Sequence, residues 1–115
     1  MTTTAPSSPV LRLGVVVLAV ATAAIHLYLG LSSGLPLFVL NGLGYLTLLA
    51  ALCLPVPRLV PYRNVVRWLL VGFAALTIVL WLVVTGGSST AIGYTDKAVE
   101  VLLIVLLFAE ARASR

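Results

Sequence analysis

The chain has 115 residues, of which 62% are apolar and 9% charged, with a formal net charge of +4. A soluble domain averages roughly a quarter charged residues and under half apolar. This composition cannot cover itself with a polar surface, which excludes an ordinary water-soluble fold and makes the lipid bilayer the expected solvent.

Residues 1–10, MTTTAPSSPV, are polar, uncharged and proline-containing. They are expected to form a flexible tail, followed by a single four-helix transmembrane domain over residues 11–115. A membrane-crossing helix needs about 20 mostly apolar residues, and four segments qualify, at about 13–31, 35–54, 66–85 and 95–112. Helices are expected because a span must satisfy its own backbone hydrogen bonds. The alternation that marks barrel strands is absent from the sequence.

The first span carries ATA at residues 21–23, which has the small-x-small look of a signal-peptidase site. Arg12 is the only basic residue ahead of it, and the apolar run continues past the cut point, so an uncleaved span is expected. Its turn into the second span, SSGLP, is short and uncharged and implies antiparallel neighbours. The second span holds Cys53, the only cysteine. It can form no intrachain disulfide and reads as a packing residue.

Between spans two and three, PVPRLVPYRN carries three prolines and two arginines. It is expected to be a stiff, non-helical connector along the headgroups, with Tyr62 and Trp68 as interfacial anchors. Its arginines could also bind anionic lipid. Spans three and four are joined by GGSSTAIGY, read as a flexible loop or small lid. The fourth span is the least clean, because it must carry Asp96, Lys97 and Glu100 at or just inside one interface.

Basic residues collect on the cytoplasmic side. In a four-span bundle, Arg12, Arg58, Arg63, Arg67, Arg112 and Arg115 share one side and Lys97 lies alone on the other. The fold class is therefore an all-α, up-down-up-down four-helix bundle with both termini cytoplasmic, in the cell membrane. Orientation accounts for the positive charge, and no nucleic-acid partner is expected.

His26 is the only histidine and lies in a span. At 1.5 Å rise per residue it sits about 7 Å below the outer edge. The same arithmetic brings Asn41, Glu100 and Trp81 to a similar depth, one from each remaining span. His26 stacks over Thr22, Ala23 and Ala19, Asn41 over Gly44, Tyr45 and Leu48, and Trp81 over Thr77 and Ala74. Asp96 and Glu100 also gain from the positive end of their helix dipole. Polar groups in spans generally face the bundle interior, so His26, Asn41, Tyr45 and Glu100, with Asp96 and Lys97 close by, form a candidate polar layer. A Glu100–His26 contact is its expected ionic pair.

Three uses fit such a layer. The first is structural: interhelical hydrogen bonds holding the register of a small, non-catalytic membrane protein. That protein would be an accessory or assembly subunit or a homo-oligomer, with small-residue faces at Ala19/Ala23 and Gly72/Ala75 for helix packing. The second is transport or relay of a proton, cation or small solute through His26 and Glu100. The third is a cofactor at His26. Glu100 and Asp96 would complete a metal ligand set, whereas haem would need a second axial ligand, as from another copy. Neither cofactor is expected. The sequence lacks a nucleophile elbow, a phosphate loop, paired metal-binding histidines and CxxC, so no catalytic residue is assigned.

The run IHLYLGL, then FVLNGLGYL, LTIVLWLV and DKAVEVLLIVLL resembles small, uncharacterised four-span membrane proteins of prokaryotes, including haloarchaeal ones. The resemblance covers the chain beyond its tail and implies the fold, and no functional residue transfers with it. Size and span count are also similar to the small multidrug resistance transporters. That family keeps a glutamate in its first span, where this chain has His26, and many members have a weaker charge bias.

Overall fold

The computed structural model describes residues 9–113, so residues 1–8 of the expected tail and Arg115 lie outside the described residues. Four α-helices follow one another: α1 Pro9–Ser33, α2 Pro36–Cys53, α3 Arg63–Thr85 and α4 Ala91–Ala113. No strand occurs among the described residues. Three stretches, Pro9–Ser33, Pro36–Cys53 and Val60–Thr85, are long and apolar enough to cross a membrane. At 18 residues, α2 is the shortest helix, yet it rises roughly 27 Å, close to the hydrocarbon thickness of a bilayer. Helix α4 has the length, but its Asp96, Lys97, Glu100 and Glu110 dilute its hydropathy.

The helices are longer than the apolar runs that signalled them. Helix α1 begins at Pro9, where proline's fixed φ and missing N–H suit a first turn, so the expected tail loses its last two residues to helix. Ser32 and Ser33 belong to the last turn of α1, and Gly34 reverses the chain at φ 65°. Helix α2 opens with Pro36.

Two expected loops are shorter than the sequence implied. Val60–Tyr62 form a 3₁₀ turn that runs straight into α3, so only the first half of the proline-rich connector is non-helical. Pro61 falls at the start of that turn, where an N–H has no partner within the turn and proline's lack of one costs nothing. The expected lid GGSSTAIGY shrinks because α4 starts at Ala91. Thr90 caps it, its hydroxyl accepting from the Gly93 N–H at 3.2 Å. Gly86 ends α3 in the left-handed conformation, φ 65°.

Each helix packs on its chain neighbours, and α4 closes the bundle against α1. Helices α1 and α2 come closest. A Cβ at Gly42 would lie 2.9 Å from the Ala23 carbonyl oxygen, and one at Gly30 would lie 2.8 Å from the Val39 amide nitrogen. Glycine is what allows these two backbones to touch. The core is a column formed by Val15, Ala19, Ala23, Tyr45, Leu49, Leu52, Val66, Leu70, Ala74, Leu103 and Leu107. Outward faces are strongly apolar, with Leu37 77% and Val84 81% exposed, as suits helices solvated by acyl chains.

Candidate functional site

Buried positions on α1 recur at Val15, Ala19, Thr22, Ala23, His26 and Gly30, the three-to-four spacing of one helix face. On α4 they recur at Gly93, Asp96, Glu100, Leu103, Leu107 and Glu110. These faces meet, so the ionisable residues of α4 are turned into the bundle. All three carboxylates of the chain, Asp96, Glu100 and Glu110, are buried, and they form two clusters at opposite ends of the α1–α4 seam. Fourteen residues of α1 separate Arg12 from His26, roughly 21 Å of rise.

The first cluster gathers His26, Asp96, Lys97 and Glu100, with Thr22 and Tyr45 around them. His26 Nδ1 lies 2.8 Å from the Thr22 carbonyl oxygen. A carbonyl only accepts, so Nδ1 carries the proton and donates it there. Nε2 then faces Asp96 Oδ2 at 3.5 Å and Glu100 Oε2 at 3.9 Å. The Thr22 hydroxyl donates to Asp96 Oδ1 at 2.6 Å, and the Tyr45 hydroxyl donates to Glu100 Oε2 at 2.6 Å. Lys97 Nζ bridges the two acids, 2.5 Å from Glu100 Oε1 and 3.2 Å from Asp96 Oδ2. Its other neighbour is the Trp81 ring, whose centroid is 5.8 Å away. The His26 ring is held between Phe38 and Tyr45, at centroid distances of 5.8 and 5.9 Å.

A cleft of about 420 Å³ reaches this cluster. His26 and Lys97 line it, together with Phe38, Asn41, Phe73 and Trp81. Its walls are mostly apolar, the usual character of a small-molecule site. Two of them hold buried polar atoms with no hydrogen-bond partner, Asn41 Oδ1 and Trp81 Nε1. Both atoms are sealed beneath the cleft surface, so the polar groups nearest the cleft are those of His26 and Lys97.

The second cluster is built on Glu110. Arg12 donates to it through Nε at 2.7 Å and Nη2 at 3.0 Å, and Arg67 donates through Nε at 3.3 Å. Further donors are also used: Arg12 Nη1 reaches the Leu52 carbonyl at 3.4 Å and Cys53 Sγ at 3.3 Å, and Arg67 Nη1 reaches Asn64 Oδ1 at 3.1 Å. The cluster ties α1, α3 and α4 together and fixes the end of α2. The half-buried Cys53 packs against the core and accepts from Arg12.

Of the residues singled out from the sequence, His26, Tyr45, Asp96, Lys97 and Glu100 come together, and Asp96 stands nearer to His26 than Glu100 does. Asn41 does not join them. The buried face of α2 is Gly42, Tyr45, Leu49 and Leu52, which turns Asn41 toward α3, where its amide donates to Thr77 Oγ1 at 2.8 Å. Asp96 is buried in the bundle and Lys97 partly so. Helix α4 starts five residues before Asp96, so both lie in its second turn. The dipole argument for Asp96 and Glu100 lapses with that shift, since the effect fades within the first turn. Gly72 and Ala75 are both exposed on α3, and nothing among the described residues lies within 4 Å of where a Cβ at Gly72 would stand. The sequence reading missed the roles of Glu110, Arg12 and Arg67 as a buried unit, and of Thr22 as the ligand of Asp96. No protein-family model, curated protein or solved structure matches this chain, and its own geometry carries the functional assignment.

Proposed function

We propose that this chain is a small integral membrane protein that exchanges protons or cations with a solute in the cleft through His26, Asp96, Lys97 and Glu100. In this reading the four helices cross the cell membrane up-down-up-down with both termini cytoplasmic, as the six arginines against one lysine favour. The His26 cluster then lies toward the outer face and the Glu110 cluster toward the cytoplasm.

The observation that carries the reading is the burial of His26, Asp96 and Glu100 in one cluster beside a cleft, with the partly buried Lys97 across the two acids. Burying ions is a poor way to gain stability, because well-packed apolar residues generally do as well or better. Ionisable residues inside a membrane protein accordingly mark pathways and relays.

The test is a proton-flux assay in liposomes with a trapped pH-sensitive dye. The wild-type protein should dissipate an imposed pH gradient faster than protein-free vesicles. His26→Ala and Glu100→Gln should return the rate to background while circular dichroism keeps its helical signal. Absence of excess flux, or variants that conduct like the wild type, overturns the proposal.

A second reading, an assembling or accessory subunit, is favoured by the exposed pair Gly72 and Ala75. Nothing lies within 4 Å of where a Cβ at Gly72 would stand, and small residues let a neighbouring helix approach closely. Cross-linking in native membranes would reveal a partner on that face of α3.

A further inference from the structure

We infer that His26 Nε2, Asp96 Oδ2 and Glu100 Oε2 form a binding site for a divalent transition-metal cation, with Lys97 as a tethered competitor for it; this rests on the exchange reading above and names its cation. The three residues each offer a ligand atom, and these atoms all lie within 4.8 Å of one another. All three residues are buried.

The independent observation is the state of the imidazole. His26 is 5% exposed, and its Nδ1 proton is committed to the Thr22 carbonyl. In the neutral ring Nε2 is then a bare lone pair, aimed at two carboxylate oxygens that are themselves acceptors. Lys97 and the Thr22 and Tyr45 hydroxyls satisfy the acids in part, and the gap between Nε2 and the two carboxylate oxygens suits a further shared cation, a proton or a metal ion. The spacings of 3.5 and 3.9 Å exceed the usual N–H···O range of about 2.7–3.2 Å. They are near the roughly 3.4 Å between donors arranged tetrahedrally about an ion with bonds of about 2.1 Å.

The surroundings are those of a metal ligand set. A ligating histidine commonly gives its other N–H to a backbone carbonyl, which fixes tautomer and ring direction, and ligating carboxylates are themselves hydrogen-bonded. Thr22 holds Asp96 and Tyr45 holds Glu100 in that way. One nitrogen and two carboxylate oxygens suit zinc, manganese or ferrous iron.

Lys97 makes the site reversible. Its ammonium already spans both acids, so an arriving ion displaces it toward Trp81, where the indole face can hold a cation. Where Nε2 carries a proton, that proton leaves as the metal–nitrogen bond forms. Binding thus releases up to one proton per ion, and the lysine charge returns to the acids when the ion departs. The route in is the cleft, which His26 and Lys97 both line.

The experiment is a Co²⁺ titration of the full chain in mild detergent, followed by the visible d–d absorption of the bound ion. Saturable binding at one site per chain is expected. Lys97→Met should tighten it at least tenfold, and His26→Gln and Glu100→Gln should weaken it at least tenfold with helicity unchanged. No saturable band in either the wild type or Lys97→Met overturns the inference, as does unchanged affinity in a folded His26→Gln protein. Proton flux without Co²⁺ binding leaves the exchange reading standing and removes the metal. Co²⁺ binding without flux keeps the site and removes the exchange.

Discussion

The two buried clusters use similar side chains to different ends. At the Glu110 end, one carboxylate takes three donors from two arginines, and the Nη1 atoms of both arginines find a carbonyl, a sulfur and an amide oxygen. The arginine fork suits such a role, since its donors are fixed in a plane and always charged. The His26 end holds two acids close together, a flexible lysine between them and an imidazole nitrogen facing acceptors. It also has a cleft beside it. A closed, donor-rich cluster holds a fold together. An acceptor-rich cluster with one mobile cation is suited to taking up and giving back a positive charge.

This contrast can be broken by mutation. The largest effect is expected from Glu110→Gln, which leaves Arg67 buried without its anion. Breaking a buried pair in this way costs about 3–5 kcal/mol, and unfolding in mixed micelles should report it. Arg67→Met should cost less, about 1.5–3 kcal/mol for one hydrogen bond to a charged group, because Arg12 keeps its two bonds to Glu110. A loss as large as that of Glu110→Gln would place the weight of the cluster on α3 instead of α1.

Tyr45→Phe removes the hydroxyl that donates to Glu100 while keeping the ring against Phe73. Interhelical hydrogen bonds in membranes average about 0.6 kcal/mol, so stability should fall by about that much, while flux and Co²⁺ affinity should change more clearly. Gly72→Ala is the smallest case. The position is open, and unfolding of the isolated chain should shift by no more than about 0.5 kcal/mol. A larger loss in the membrane than in dilute micelles would point to a helix partner at that face.

Much of this was legible in the sequence. Apolar runs gave the helices, because span length and hydropathy are set by the bilayer. The recurrence of Ala19, Thr22, Ala23 and His26 marked the buried face of α1, and depth counting brought His26 and Glu100 together. Counting from hydropathy failed at the helix ends, where Thr90 and the Pro61 turn, not apolarity, decide the boundary. Helix α4 therefore starts at Ala91 and reaches Asp96 and Lys97 in its second turn, whereas hydropathy began the span at about residue 95. Asn41 lines the same cleft as His26 and Lys97 but bonds to Thr77 of α3, because Gly42 rather than Asn41 begins the buried face of α2.

The Glu110 cluster was overlooked because its arginines already had an explanation in membrane orientation. A signal for it was present. Asp96, Glu100, Leu103, Leu107 and Glu110 follow one another at spacings of four, three, four and three, so Glu110 continues the buried face of α4. Arg12 likewise precedes Val15 by three. A carboxylate on a buried face needs a cation, and the arginines level with it are the candidates. The pairing itself joins residues 98 apart in the chain and required the packing of α1 on α4 to be seen.

The most direct test sets the unfolding free energy of Glu100→Gln beside that of Glu110→Gln in the same mixed micelle. If the His26 cluster is kept for exchange and the Glu110 cluster for the fold, the Glu110 variant loses about 3–5 kcal/mol. The Glu100 variant then stays within about 1 kcal/mol of the wild type, since its amide still accepts from Tyr45 and Lys97 keeps Asp96. Equal losses, or a larger loss at Glu100, would contradict that division.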